Sequence, residues 1–241
     1  MIRTLGAALA LSAAFGATPA PAYAFQCHTA LVLALDASDS VDPVEADLQR
    51  SGIAGALLDP EVMEALAPSE GFGALLMAFE WADPGETQII APWTILDSPA
   101  AIHAFAAKLG QLPSVYMSGQ TGLGAALEFA AKAHGEAPAA CARRVIDVSG
   151  DGPGNTGPTP GLYRKAGLFD GITINGLVIR QDPDDYSLQQ PTRDPLPYYE
   201  AEVRHGAGAF VMVTKSYEDY QDALRRKLLR ELRPVLAEVA E

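Results

Sequence analysis

Thr29-Ala30-Leu31-Val32-Leu33-Ala34-Leu35-Asp36-Ala37-Ser38-Asp39-Ser40 is the stretch on which the fold turns. Residues 29–35 form an unbroken β-type apolar run, the pattern of a strand buried on both faces rather than one. The run stops abruptly at an acid and two hydroxyls, set at alternate positions. Helical periodicity follows over residues 44–58, so a strand feeds a helix through a short polar turn. A dinucleotide-binding turn would carry glycines at this point, and this one carries oxygen donors.

Strand-like and helix-like segments alternate outward from that stretch. Residues 61–66 continue the helical pattern after a break at Asp59-Pro60. Residues 72–80 and 87–94 are strand-like and separated by the turn-rich Ala82-Asp83-Pro84-Gly85, which predicts a hairpin and hence one antiparallel strand. Ser98 is placed to cap a helix over residues 99–109, and residues 122–134 form another helix. Strands are predicted at 144–149, 172–179 and 209–213, a short helix at 162–169, and a long terminal helix at 217–236. The expected fold is α/β: an open, mostly parallel, Rossmann-like sheet with one antiparallel edge strand and helices on both faces. Residues 181–197, with four prolines and four acids, are the one long irregular segment, and they leave the carboxyl end of a strand, where open α/β sheets place ligands.

The chain begins as a signal peptide begins. Arg3 leads into an apolar run over residues 5–15, then small residues and prolines, then Ala22-Tyr23-Ala24, a small-x-small site that predicts cleavage after Ala24. The apolar run is too short to span a bilayer, and no later segment has the apolar length of a membrane helix. The expected layout is a signal peptide at 1–24 and one domain at 25–241, periplasmic or secreted. The full chain carries 17 Lys and Arg against 30 Asp and Glu, a formal net charge of −13. That balance argues against electrostatic binding to nucleic acid or anionic lipid and favours cations. Cys27 and Cys141 are the two cysteines. Export makes a disulfide the default expectation and two buried thiols the alternative. A bridge would stabilise the fold by about 4–5 kcal/mol in the chain-entropy model, less any strain.

Three segments at strand-to-helix edges carry the chemistry. They are Asp36-Ala37-Ser38-Asp39-Ser40, Gly119-Gln120-Thr121-Gly122-Leu123-Gly124 and Val148-Ser149-Gly150-Asp151-Gly152. Oxygen ligands of this kind suit a hard cation such as Mg²⁺, with Mn²⁺ or Ca²⁺ as substitutes. A site built largely from neutral hydroxyls leaves the ion positive enough to accept a further carboxylate. Taken singly, each segment has a simpler reading: Asp-x-Ser-x-Ser as a helix cap, Thr121 as the N-cap of its helix, Asp151-Gly152 as a turn. The four histidines, His28, His103, His134 and His205, lack metal-ligand spacing.

Together the three segments resemble the metal-ion-dependent adhesion site of von Willebrand factor type A domains, in which an Asp-x-Ser-x-Ser turn, a separate Thr and a separate Asp surround one divalent ion. The resemblance implies hydroxyls from Ser38, Ser40 and Thr121, with Asp36 and Asp151 binding directly or through water. Asp39 departs from the pattern, because a less acidic residue is more usual between the two serines. The run Val145-Ile146-Asp147-Val148-Ser149-Gly150-Asp151-Gly152-Pro153-Gly154-Asn155, with Trp93-Thr94 and Gly208-Ala209-Phe210-Val211, is similar to an uncharacterised family of exported bacterial proteins, the domain of unknown function 1194. That group is regarded as von Willebrand A-like, and the likeness covers essentially the whole chain after the signal segment.

These readings converge on an exported cation-binding domain, not an enzyme, whose partner is a protein or peptide presenting an Asp or Glu carboxylate. The rival is a haloacid-dehalogenase-like Mg²⁺-dependent phosphatase, suggested by an Asp at the end of the first strand and the later Gly150-Asp151-Gly152-Pro153-Gly154-Asn155. Such phosphatases resemble one another in a second acid two residues on, and here that position is Ser38, a poor proton shuttle at neutral pH. A purely structural domain with an inert motif is the third reading.

Overall fold

The computed structural model describes residues 25–111, 117, 119–180 and 194–232. The expected signal segment 1–24, residues 181–193 of the irregular segment and the predicted helical residues 233–236 lie outside the described residues.

Strand β1 spans Gln26–Asp36, followed by helices α1, Pro43–Leu57, and α2, Pro60–Leu66. The hairpin strands β2, Phe72–Trp81, and β3, Thr87–Leu96, come next, then α3, Pro99–Gln111, and α4, Leu123–His134. Strand β4 is Cys141–Gly150, α5 is Pro160–Lys165 and β5 is Thr173–Ile179. A single turn, α6, Leu196–Tyr198, continues as a π-turn over Tyr199–Val203 before β6, Val211–Thr214, and α7, Tyr220–Leu232. The strands form one sheet in the order β3-β2-β1-β4-β5-β6. Only β2 and β3 pair antiparallel, so the expected architecture is the observed one.

The unbroken apolar reading of β1 has its cause in the layers. Leu31, Leu33 and Leu35 pack against α1, α2, α3 and α7 on one face. Val32 and Ala34 pack against α4 and the π-turn on the other. With both faces dry, nothing selects for alternation. Helix boundaries follow local chemistry. Asp42 caps α1 in a reciprocal capping box with Glu45, and Asp59 caps α2 ahead of Pro60. The Ser98 hydroxyl accepts from the Ala101 N–H at 3.3 Å, as expected for α3.

Several boundaries move, three of them for a plain local reason. Strand β4 starts at Cys141, earlier than the apolar residues alone suggest, because its ladder with β1 already pairs Cys27 with Cys141. That register gives a Cα–Cα separation of 4.5 Å, and the two cysteines form a disulfide. Helix α5 covers Pro160–Lys165 rather than reaching residue 169, since Gly167 turns the chain at φ 76°. The last strand begins two residues late, after a turn through Gly206 and Gly208, both at positive φ.

From β1 the chain builds outward to β3, then returns to add β4 on the other flank of β1. The carboxyl ends of β1 and β4 therefore sit side by side where the winding direction reverses. Such a switch point leaves a crevice that neither crossover covers.

Candidate metal centre

The crevice gathers all five of the predicted residues. Asp36 ends β1 and is 1% exposed. Its Oδ1 accepts the Ser38 N–H at 2.9 Å, closing a turn that swings the Ser38 and Ser40 side chains back over the strand end. Its Oδ2 is buried with no hydrogen-bond partner. The Ser38 hydroxyl stands 3.3 Å from that of Ser40 and 3.5 Å from that of Thr121. Asp151, immediately after β4, accepts the Ser40 hydroxyl at 2.7 Å. Hydroxyls from two loops thus stand between two buried carboxyl groups.

The simpler single-segment readings fail against this geometry. Helix α1 is capped by Asp42, not by Ser38 or Ser40. Helix α4 is capped by Gly122, with no side-chain cap bond, so Thr121 spends its hydroxyl on the crevice. Asp151 does sit in a turn, but its carboxylate points to Ser40 rather than to local backbone alone.

Residues that the sequence reading did not assign to the site hold the loops in place. Asn155 Oδ1 accepts the Thr121 N–H at 2.9 Å, and the Asn155 N–H returns to the Thr121 carbonyl at 3.0 Å. Asp83, in the β2–β3 turn, accepts the Gln120 N–H at 3.1 Å. Gly122 must lack a side chain, because a Cβ there would lie 2.6 Å from the Ala82 carbonyl oxygen. Asp39, the departure from the adhesion-site pattern, is exposed and accepts the Gly119 N–H at 3.0 Å, while its own N–H donates to the Gly119 carbonyl at 2.9 Å. It staples the first turn to the Thr121 turn. Local Asn and Asp turn chemistry was the only sequence signal for these residues.

Burial pushes the Asp36 carboxyl well above the usual carboxylate range, and the charge of Asp151 pushes it further. Burial raises Asp151 as well, offset in part by the Ser40 hydroxyl. Two carboxylates this close and this dry resist joint ionisation unless a cation joins them. The donor set, two carboxylates and three hydroxyls, fits a hard divalent ion. Among the described residues no group of three or more His, Cys, Asp or Glu is arranged to hold a metal.

The architecture is shared with solved proteins. A von Willebrand factor type A protein from Catenulispora acidiphila superposes with a TM-score of 0.57 at 14% identity, over 86% of this chain and 43% of that one. The minor pilin PilB from Streptococcus sanguinis gives 0.57 at 13%, over 90% and 64%. Proximal thread matrix protein 1 from the mussel byssus, with zinc occupying its MIDAS motif, gives 0.52 at 16%, over 87% and 47%. The chain therefore spans less than two thirds of the length of these proteins, and the likeness is one of fold, von Willebrand factor type A-like. No curated protein matches the chain significantly. Residues 26–236 match the model of the family described as "Protein of unknown function (DUF1194)", and the chain belongs to that family.

Proposed function

We propose that this protein is an exported domain that binds a divalent cation in the crevice between β1 and β4 and uses it to hold an Asp or Glu carboxylate of a protein or peptide partner. One observation carries the reading: the Asp36 carboxyl group is buried with one oxygen unpartnered, at a crevice where three linked hydroxyls and a second carboxyl group also meet. An uncompensated buried carboxylate is costly, and a cation removes that cost. Asp36, Asp151, Ser38, Ser40 and Thr121 would hold the ion, which would supply Lewis acidity and positive charge. Because three of these five groups are neutral, the ion keeps enough charge to attract a carboxylate from outside.

The neighbours agree in kind, since a pilin and a byssal matrix protein share the fold and one matrix protein carries a metal in the corresponding motif. Export is supported by the signal-like start of the chain and by the disulfide. No helix among the described residues is long and apolar enough to cross a membrane. Catalysis has no role in the reading. The position two residues after Asp36 holds Ser38, whose hydroxyl is engaged with Ser40 and Thr121.

The test is thermal unfolding of the purified protein in chelator and then in millimolar Mg²⁺, Mn²⁺ or Ca²⁺. An ion that binds only the folded state raises the midpoint, by about 2.7 kcal/mol in stability at a hundredfold excess over its dissociation constant. Asp36→Ala abolishes the rise while remaining folded. No rise with any of the three ions in the wild type would sink the proposal.

A further inference from the structure

Tyr199 is a large polar side chain at the crevice that the adhesion-site pattern does not explain. It opens the π-turn that follows the long irregular segment, and it is fully buried. Its hydroxyl has no hydrogen-bond partner. Two glycines on adjacent strands clear the space it occupies. A Cβ on Gly176 of β5 would lie 2.6 Å from the Tyr199 ring, at Cδ1. A Cβ on Gly150 of β4 would lie 2.6 Å from the Tyr199 hydroxyl and 2.7 Å from Asp36 Oδ2. Two unpartnered oxygens, the Tyr199 hydroxyl and Asp36 Oδ2, thus flank one point, and the absent side chain of Gly150 leaves that point open.

A buried hydroxyl without a partner costs the fold its full desolvation, and a phenylalanine would fill the same volume without that cost. Packing alone thus gives no reason for the oxygen. π-turns of this kind recur at functional sites, where the extra residue re-aims a side chain.

We propose that Tyr199 is a positioning residue of the cation site: its hydroxyl and Asp36 Oδ2 face one point without bonding to each other in this structure, and with a cation bound the hydroxyl would donate to Oδ2 and fix its orientation. The inference rests on the cation reading above. The ring belongs to the core and the oxygen to the site, so the two roles separate by substitution.

The experiment compares wild type, Tyr199→Phe and Gly150→Ala as full chains. Free Mn²⁺ is followed by electron paramagnetic resonance, the unfolding midpoint is measured in chelator, and the tyrosine ultraviolet difference spectrum is recorded on adding Mn²⁺. Tyr199→Phe is expected to keep or raise the midpoint in chelator, to bind Mn²⁺ roughly tenfold more weakly, and to lose much of the difference spectrum. Gly150→Ala, whose methyl group intrudes between the two oxygens, weakens Mn²⁺ binding at least as much. Wild-type affinity and spectrum in Tyr199→Phe would overturn the role of Tyr199 and leave the cation site standing. Absence of Mn²⁺ binding in the wild type would overturn both.

Discussion

The acids in the body of the sheet and those at its carboxyl edge are equally buried but differently served. In the body, Glu80 of β2 meets Arg50 of α1 in a two-pronged pair at 2.5 and 2.7 Å, with both side chains 3% exposed. Asp147 of β4 and Glu231 of α7 share Lys227, at 2.7 and 2.5 Å, and Glu231 also accepts from Asn175 at 2.7 Å. At the edge, Asp36 is met by a backbone N–H and by hydroxyls nearby, and none of the ion pairs among the described residues includes it. Where helices α1 and α7 cover the sheet, its buried acids are paired with the fold's own cations. Where neither crossover covers it, burial and Asp151 raise the Asp36 carboxyl group instead, and on the proposed reading a cation from solution would take that place. The difference would then separate acids that hold the fold together from acids that hold something else.

The sharpest way to break this comparison is to remove one member from each region and measure denaturant unfolding in chelator. Arg50→Ala strands Glu80 in the core and should cost about 3–5 kcal/mol. Asp36→Asn should act in the opposite direction. The amide keeps the carbonyl oxygen that accepts the Ser38 N–H, and it removes a carboxyl group that burial and Asp151 already hold above its usual range. Stability in chelator then stays level or rises by about 1 kcal/mol, while the response to cations is lost. A large destabilisation by Asp36→Asn would place this acid with the structural ones and erase the distinction.

The same distinction governs what the sequence made legible. The sheet could be read because strands buried on two faces and a Pro-Gly turn leave local patterns, at 29–35 and at 82–85. The five candidate residues were named by the resemblance to the adhesion site, each beside a strand or helix end, and the fold brings them together. The Arg50–Glu80 and Lys227 pairs could not, since long-range charge pairing has no period, and Glu80 looked like the end of a strand that in fact continues to the buried Trp81. Tyr199 was beyond reach for a different reason. It belongs to the element after a long irregular segment, and its meeting with Gly150 depends on how the chain returns across β5. Asn155 stood inside a quoted motif, yet its link to Thr121 crosses 34 residues.

A smaller effect probes the shared lysine. One cation serves two carboxyl groups there, so burial, and next the charge of Asp147, raise Glu231 well above its ordinary value, against the pull of Lys227 and Asn175. The groups facing Glu231 are Asp147, Lys227, Asn175 and Arg143, whose guanidinium donates to the Glu231 backbone carbonyl. A carboxyl group whose folded pKa is raised binds its proton more tightly in the native state. Its contribution is complete below the ordinary carboxylate pKa and is lost as pH rises through the raised one. Wild-type stability should therefore fall between about pH 5 and pH 8 from this group, and Glu231→Gln should flatten that slope. An unchanged slope in the variant would show that Lys227 alone satisfies both acids.

The smallest expected effect concerns Asp39, the residue that sets this chain apart from the usual adhesion-site pattern. Two roles compete for it: a charge that strengthens ion binding, or a staple between turns. The structure favours the staple, because the side chain is exposed and its Oδ1 accepts the Gly119 N–H. An asparagine keeps that acceptor and deletes only the charge. Exposed charges are screened, so Asp39→Asn should weaken Mn²⁺ binding by less than about threefold at low salt, and the difference should vanish near physiological ionic strength. Asp39→Ala, which removes the acceptor too, should weaken binding more, and equally at both salt concentrations, because Thr121 loses its tether rather than the ion losing a charge. If Asp39→Asn proves as damaging as Asp39→Ala and its effect survives salt, Asp39 belongs to the ion's own shell, and the edge of the sheet brings three acids to its cation rather than two.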